Sequence, residues 1–85
     1  MFKNKYLERN NKCGKAVYEL RKTKGTDFSQ RKLAEMMQIE GIDLDKNAIQ
    51  RIESGQRFVT DIELAALAKI FKVSTDYLIG RTDNR

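Results

Sequence analysis

The stretch from Leu33 to Gly55, LAEMMQIEGIDLDKNAIQRIESG, sets the tightest limit on what this chain can become. It holds two short amphipathic segments. Leu33, Ala34 and Met37 recur at helical spacing in the first, and Ile49 and Ile52 do so in the second. Between them lies a connector with Gly41, Asp43 and Asp45. The second segment also carries Lys46, Asn47, Gln50, Arg51 and Ser54 on one side of the helix. These side-chain types can hydrogen-bond base edges and phosphates. The pattern predicts two helices joined by a turn, the second burying its isoleucines and presenting a polar face.

The rest of the chain supplies matching punctuation. Residues 1–10 read as a polar, basic extension, with Lys3, Lys5 and Arg9 beside Phe2, Tyr6 and Leu7. Such a segment is a frayed terminus, an extra helical turn or a basic arm lying along nucleic acid. A first helix is predicted from Asn11 to Lys24, capped by Asn10 or Asn11, burying Ala16, Val17 and Leu20 and closed by Gly25. Ser29 caps a second helix, Gln30 to Glu40, with Phe28 placed to staple onto Leu33. Asp45 caps a third helix from Lys46 to Glu53 or Ser54, with Leu44 and Ile49 as its staple. Thr60-Asp-Ile-Glu63 is a capping box opening a fourth helix to Phe71, with Leu64, Ala65, Leu67, Ala68 and Phe71 turned inward. Ser74 caps a short fifth helix through Ile79, and residues 81–85 form a polar tail. There is no proline, no strand-like alternation and no internal repeat, so the expectation is one all-α, five-helix domain over residues 11–80.

Composition narrows the chemistry. Eighty-five residues, 40% of them hydrophobic, suffice for a single small core. With one cysteine and no histidine, neither a zinc site nor a histidine-based nucleophile system can be assembled from this sequence. Carboxylates at Glu35, Glu40, Asp43 and Asp45 have no general-base histidine or glycine-rich phosphate loop beside them, so no catalytic residues, metal or cofactor are expected. No apolar run approaches the ~20 residues of a membrane span. The first twelve residues lack a signal-peptide core, so a cytoplasmic protein is expected. A net charge of +5 suits a polyanionic partner.

With these helices placed, the chain resembles the phage-repressor and Cro-type helix-turn-helix family. The resemblance runs from about Gly14 to Gly80. It rests on Leu20-Arg-Lys22, Ser29-Gln30, Leu33-Ala34, Ile49-Gln-Arg-Ile-Glu-Ser-Gly55, Leu67-Ala68 and Val73-Ser74 to Leu78, in that order. It implies a lambda-repressor-like fold whose third helix enters the DNA major groove by its N-terminal end. Lys46, Asn47 and Arg51 then match base-contacting positions, with Gln50 a secondary candidate. Gln30 matches a phosphate contact at the start of a helix, and Ser54, Gln56, Arg57 and Thr60 match the segment that grips the adjoining backbone. The same matching pairs Arg21 with Glu53 as a buried structural ion pair. From Ala34 to Glu53 is 19 residues. That is roughly five more than the family's usual spacing, which implies a longer second helix and a wider connector over Gly41 to Leu44.

The resemblance thus implies a sequence-specific regulator of transcription, a repressor binding double-stranded DNA as a homodimer on a palindromic operator. No small-molecule ligand and no membrane contact are expected. Tyr77, Leu78 and Ile79 are candidates for the dimer surface, or else for capping the monomer core. Two alternatives stand beside this reading. The polar stripe on the third helix is a solvated face, or the chain is a protein-interaction module of the same fold, an antitoxin or adaptor.

Overall fold

The computed structural model describes residues 9–85, so the basic segment at residues 1–8 lies outside the described residues. Five helices follow in order: α1 (Gly14–Thr23), α2 (Gln30–Ile39), α3 (Lys46–Ser54), α4 (Asp61–Phe71) and α5 (Thr75–Leu78). No strand occurs among the described residues. None of these helices is long and apolar enough to cross a membrane.

Each of the starts of α2 to α5 is built by a side-chain oxygen taking up an otherwise unpaired amide. The Ser29 hydroxyl accepts from Lys32 N at 3.0 Å, Asp45 Oδ1 from Ala48 N at 2.8 Å, and the Ser74 hydroxyl from Tyr77 N at 3.0 Å. At α4 the capping box is complete: Thr60 Oγ1 accepts from Glu63 N, and Glu63 Oε1 accepts from Thr60 N. The stops are equally local. Gly41 has φ +87°, and the Gly41 and Ile42 amides donate back to Gln38 O and Met37 O, which closes α2 and turns Ile42 onto the core. Gly55, at φ +86°, closes α3 by the same pair of bonds, from Gly55 N to Ile52 O and from Gln56 N to Arg51 O.

The core lies between α3 and the two helices packed on it, α1 and α2, and is extended by α4, which packs on α2 and α5, and by α5, which packs on α1. Val17, Leu33, Met37, Ile49, Ile52, Leu67 and Leu78 are almost fully buried, and Leu44 and Phe71 close its edges. Phe28 reaches this cluster from the α1–α2 loop, its ring 5.7 Å from that of Phe71. The longer stretch between Ala34 and Glu53 is absorbed by a ten-residue α2 and the connector from Glu40 to Asp45. Because Leu44 is buried there, the extra length is anchored to the core.

Two expectations are corrected. The first helix starts at Gly14, not Asn11, because Asn11 is used to bridge elements: its Oδ1 accepts from Gly14 N at 2.8 Å while its Nδ2 donates toward α3. In α4 the inward alanine is Ala66, not Ala65, which is exposed, and Glu63 is buried as well. Of the two roles open to residues 77–79, Leu78 takes the core one, at 1% exposed, while Tyr77 and Ile79 are half-buried.

Candidate nucleic-acid interface

On a helix that advances about 100° per residue, Lys46, Gln50, Ser54, Asn47 and Arg51 span an arc of about 140°. All five are exposed, and Ala48, Ile49 and Ile52 on the opposite side are buried. The packing of Ile49 and Ile52, both 0% exposed, sets this rotation, so the polar arc is a consequence of where the apolar stripe goes. Asn47, Gln50 and Arg51 place amide and guanidinium donors over the first two turns of α3, and Lys46 adds a charge at its start. Such an arc offers bidentate donors to guanine and paired donor and acceptor groups to adenine.

The helix is locked against its neighbours by Glu53. Arg21 on α1 grips that carboxylate with two bonds, Nε to Oε2 at 2.7 Å and Nη2 to Oε1 at 3.0 Å, and Arg21 Nη1 also donates to Phe28 O at 3.3 Å. Both side chains are under 10% exposed. The Glu53 carboxylate pushes the Arg21 pKa further above its ordinary value, against the opposing effect of burial. Gln30, at the first position of α2, joins the same group, its Nε2 donating to Glu53 Oε1 at 3.0 Å. One side-chain network therefore sets α1, α2 and α3 relative to one another.

The sequence-expected backbone contacts divide. Gln30 lines two adjoining depressions, one with Lys22, Gly25, Thr26 and Ser29, the other with Gln50, Glu53 and Ser54. The start of α2 is thereby continuous with the polar face of α3. Its side-chain nitrogen already serves Glu53, while the backbone amides of Gln30 and Arg31 have no acceptor within the helix. Ser54 and Gln56 are exposed at the end of α3, the Ser54 hydroxyl donating to Arg51 O at 3.2 Å. Arg57 is drawn back onto α4: its Nη1 lies 2.9 Å from Glu63 Oε1 and 3.0 Å from Phe58 O. Thr60 is exposed with its oxygen engaged as the α4 cap. Exposed cations at Lys22, Lys24, Arg31 and Lys32 flank the start of α2 and add positive potential there.

Sequence reasoning missed Arg9, Asn10 and Asn11 as partners of α3. Arg9 Nη2 donates to Glu53 O at 2.9 Å, Asn10 N to Gly55 O at 2.8 Å, Asn10 Nδ2 to Gln56 O at 2.9 Å, and Asn11 Nδ2 to Ile52 O at 3.0 Å and Arg57 O at 2.8 Å. The signal present in the sequence, two adjacent asparagines ahead of a helix, reads equally well as a local cap.

Neither the curated proteins nor the solved structures give a match. A family model described as Helix-turn-helix matches residues 17–78, from within α1 to the end of α5. That span contains both helices of the motif, α4, α5 and most of α1, and the chain belongs to the XRE, lambda-repressor-like helix-turn-helix family of DNA-binding regulators.

Proposed function

We propose that this chain is a sequence-specific repressor of transcription that reads double-stranded DNA with α3. The observation that carries the reading is the single exposed arc of Lys46, Asn47, Gln50 and Arg51 opposite the buried isoleucines. Arg51 is assigned to a guanine and Asn47 to an adenine, with Lys46 and Gln50 at neighbouring base edges. Gln30, Ser54, Gln56, Arg57 and Thr60 are assigned to the phosphates on either side. For Gln30 this uses the amides at the start of α2, and for Arg57 it requires sharing the guanidinium with Glu63. The binding unit is residues 11–80, working in the cytoplasm where the chromosome is accessible.

The longest dimension of the protein, 33 Å, is about one turn of DNA. One copy therefore covers a single half-site, and a homodimer on a palindromic operator gives the needed length of sequence. Selection from a random duplex pool tests this directly: a palindrome should emerge, and Arg51→Ala should lose its preferred base while keeping weak, salt-sensitive binding. Site preference that survives Arg51→Ala would refute the assignment of the reading face.

A second reading, a protein-interaction module, draws on Ile39 and Ile62, exposed by 82% and 70%. It predicts no gel shift with genomic fragments even at low salt.

A further inference from the structure

The loop that follows α3 has an unusual hydrogen-bond inventory. Surface loops commonly leave their peptide groups to water. Here every backbone donor and acceptor of residues 55–57 has a protein partner. Gly55 N donates to Ile52 O, and Gln56 N and Arg57 N both donate to Arg51 O. The three carbonyls accept from Asn10 N, Asn10 Nδ2 and Asn11 Nδ2, at 2.8, 2.9 and 2.8 Å. The donors on the carbonyl side come from a segment more than forty residues away in sequence.

The same segment also finishes α3. A helix C-terminus leaves carbonyls without partners and carries partial negative charge. Asn11 Nδ2 takes Ile52 O, and the Arg9 guanidinium takes Glu53 O. Space is reserved for this arrangement. A Cβ on Gly14 would overlap the Ile52 carbonyl oxygen, and one on Gly55 would lie 2.6 Å from Arg9 Cζ. Asn11 is the pivot, since its single amide group ties the start of α1 to the end of α3 and to the loop.

We propose that Arg9, Asn10 and Asn11 form a strap that preorganises the loop after α3 for the DNA backbone. This rests on the reading of α3 as the DNA-facing helix and adds to it a set of positioning residues outside the helix-turn-helix. The strap acts in two ways. It fixes the loop in one conformation before binding, so that Ser54 and Gln56 project from a rigid base and DNA binding has less disorder to remove. It also covers carbonyl oxygens and supplies a cation at the negative end of α3, where bare carbonyls would repel a phosphate. The strap residues touch protein carbonyls, not bases, so they contribute affinity without sequence preference.

Asn11→Asp keeps the size and the acceptor for Gly14 N while removing both donations to α3 and the loop, and Asn10→Ala, which adds no charge, controls for the carboxylate's own repulsion of DNA. Amide exchange without DNA reads the strap itself: in the variant the amides of Gln56 and Arg57 should exchange faster while the core amides of α1 and α4 stay protected. Binding is then measured on the selected site and on random duplex. Affinity should fall about tenfold on both, the decrease expected from ordering one or two side chains afresh. The dependence of log K on log salt should become shallower by about one, because Arg57, whose carbonyl Asn11 holds, is the loop residue that neutralises a phosphate. Base preference should not change. Asn10→Ala, which removes only the side-chain bond to Gln56 O, should shift the same readouts in the same direction and serves if Asn11→Asp fails to fold. A folded variant with wild-type affinity and salt slope overturns the proposal, whether or not its loop amides exchange faster. Failure of the DNA reading looks different: the unaltered protein itself would not bind.

Discussion

Cys13 sits at the head of α1, 2% exposed, and burial pushes its thiol pKa from 9.0 to about 11. Below about pH 8 the thiol is neutral in the folded and unfolded chains alike, so there this group contributes no pH dependence. Between pH 9 and 11 the unfolded chain ionises while the folded one keeps its proton. Stability therefore falls as pH rises, by about 3 kcal/mol once the folded pKa is passed. Urea unfolding of the protein and of Cys13→Ala measures this. The variant should be less stable at pH 8, having lost a buried sulfur, and the gap should close as pH approaches 11. The same burial makes the thiol inert, so alkylation should require unfolding.

At the scale of one element, α4 shows how its two ends differ in quality. Its start is fully paired through Thr60 and Glu63, and Arg57 adds an ion pair to that glutamate. Its end is strained. Lys72 closes the helix in the left-handed region at φ 58°, where Gly25, Gly41, Gly55 and Gly80 stand in other turns. The return bonds, from Lys72 N to Lys69 O and from Val73 N to Ala68 O, match those ending α2 and α3. Geometry thus asks for glycine and the sequence supplies lysine. Lys72→Gly should stabilise the protein by about 1 kcal/mol, since the strain removed slightly exceeds the entropy added to the unfolded chain. Thermal unfolding checks it, and a lower melting temperature would mean that the Lys72 stem packs more than its exposure implies.

For the whole molecule, the arrangement of three helices converges on one carboxylate. Glu53 receives Arg21 from α1 and Gln30 from α2 while belonging to α3. Glu53→Ala leaves a buried guanidinium without its partner and should cost roughly 3–5 kcal/mol. That is a large share of the 5–15 kcal/mol typical of a whole domain, about a fifth or more. Replacing both partners by apolar side chains of similar volume, Arg21→Met with Glu53→Leu, should recover most of that stability in denaturant unfolding. DNA affinity should not recover fully with it, because apolar packing of α2 on α3 remains but the carboxylate that positions Gln30 is gone.

What the sequence determined by itself was whatever depends on neighbours in the chain. Ser29, Asp45, Thr60 and Ser74 start helices and Gly25, Gly41 and Gly55 end them through bonds three to five residues long, so those signals were legible in order. The polar arc of α3 was legible for the same reason, as the complement of Ala48, Ile49 and Ile52 at helical spacing. Tertiary structure decided whatever depends on a partner far away. Asn11 reads as a cap until α3 arrives with open carbonyls, Ala65 and Ala66 are interchangeable until α4 has something to pack on, and Arg57 is a free cation until Glu63 lies beside it. Hydrogen bonds and burial are satisfied wherever the packed chain offers them, and only the packing says which of several suitable groups is within reach.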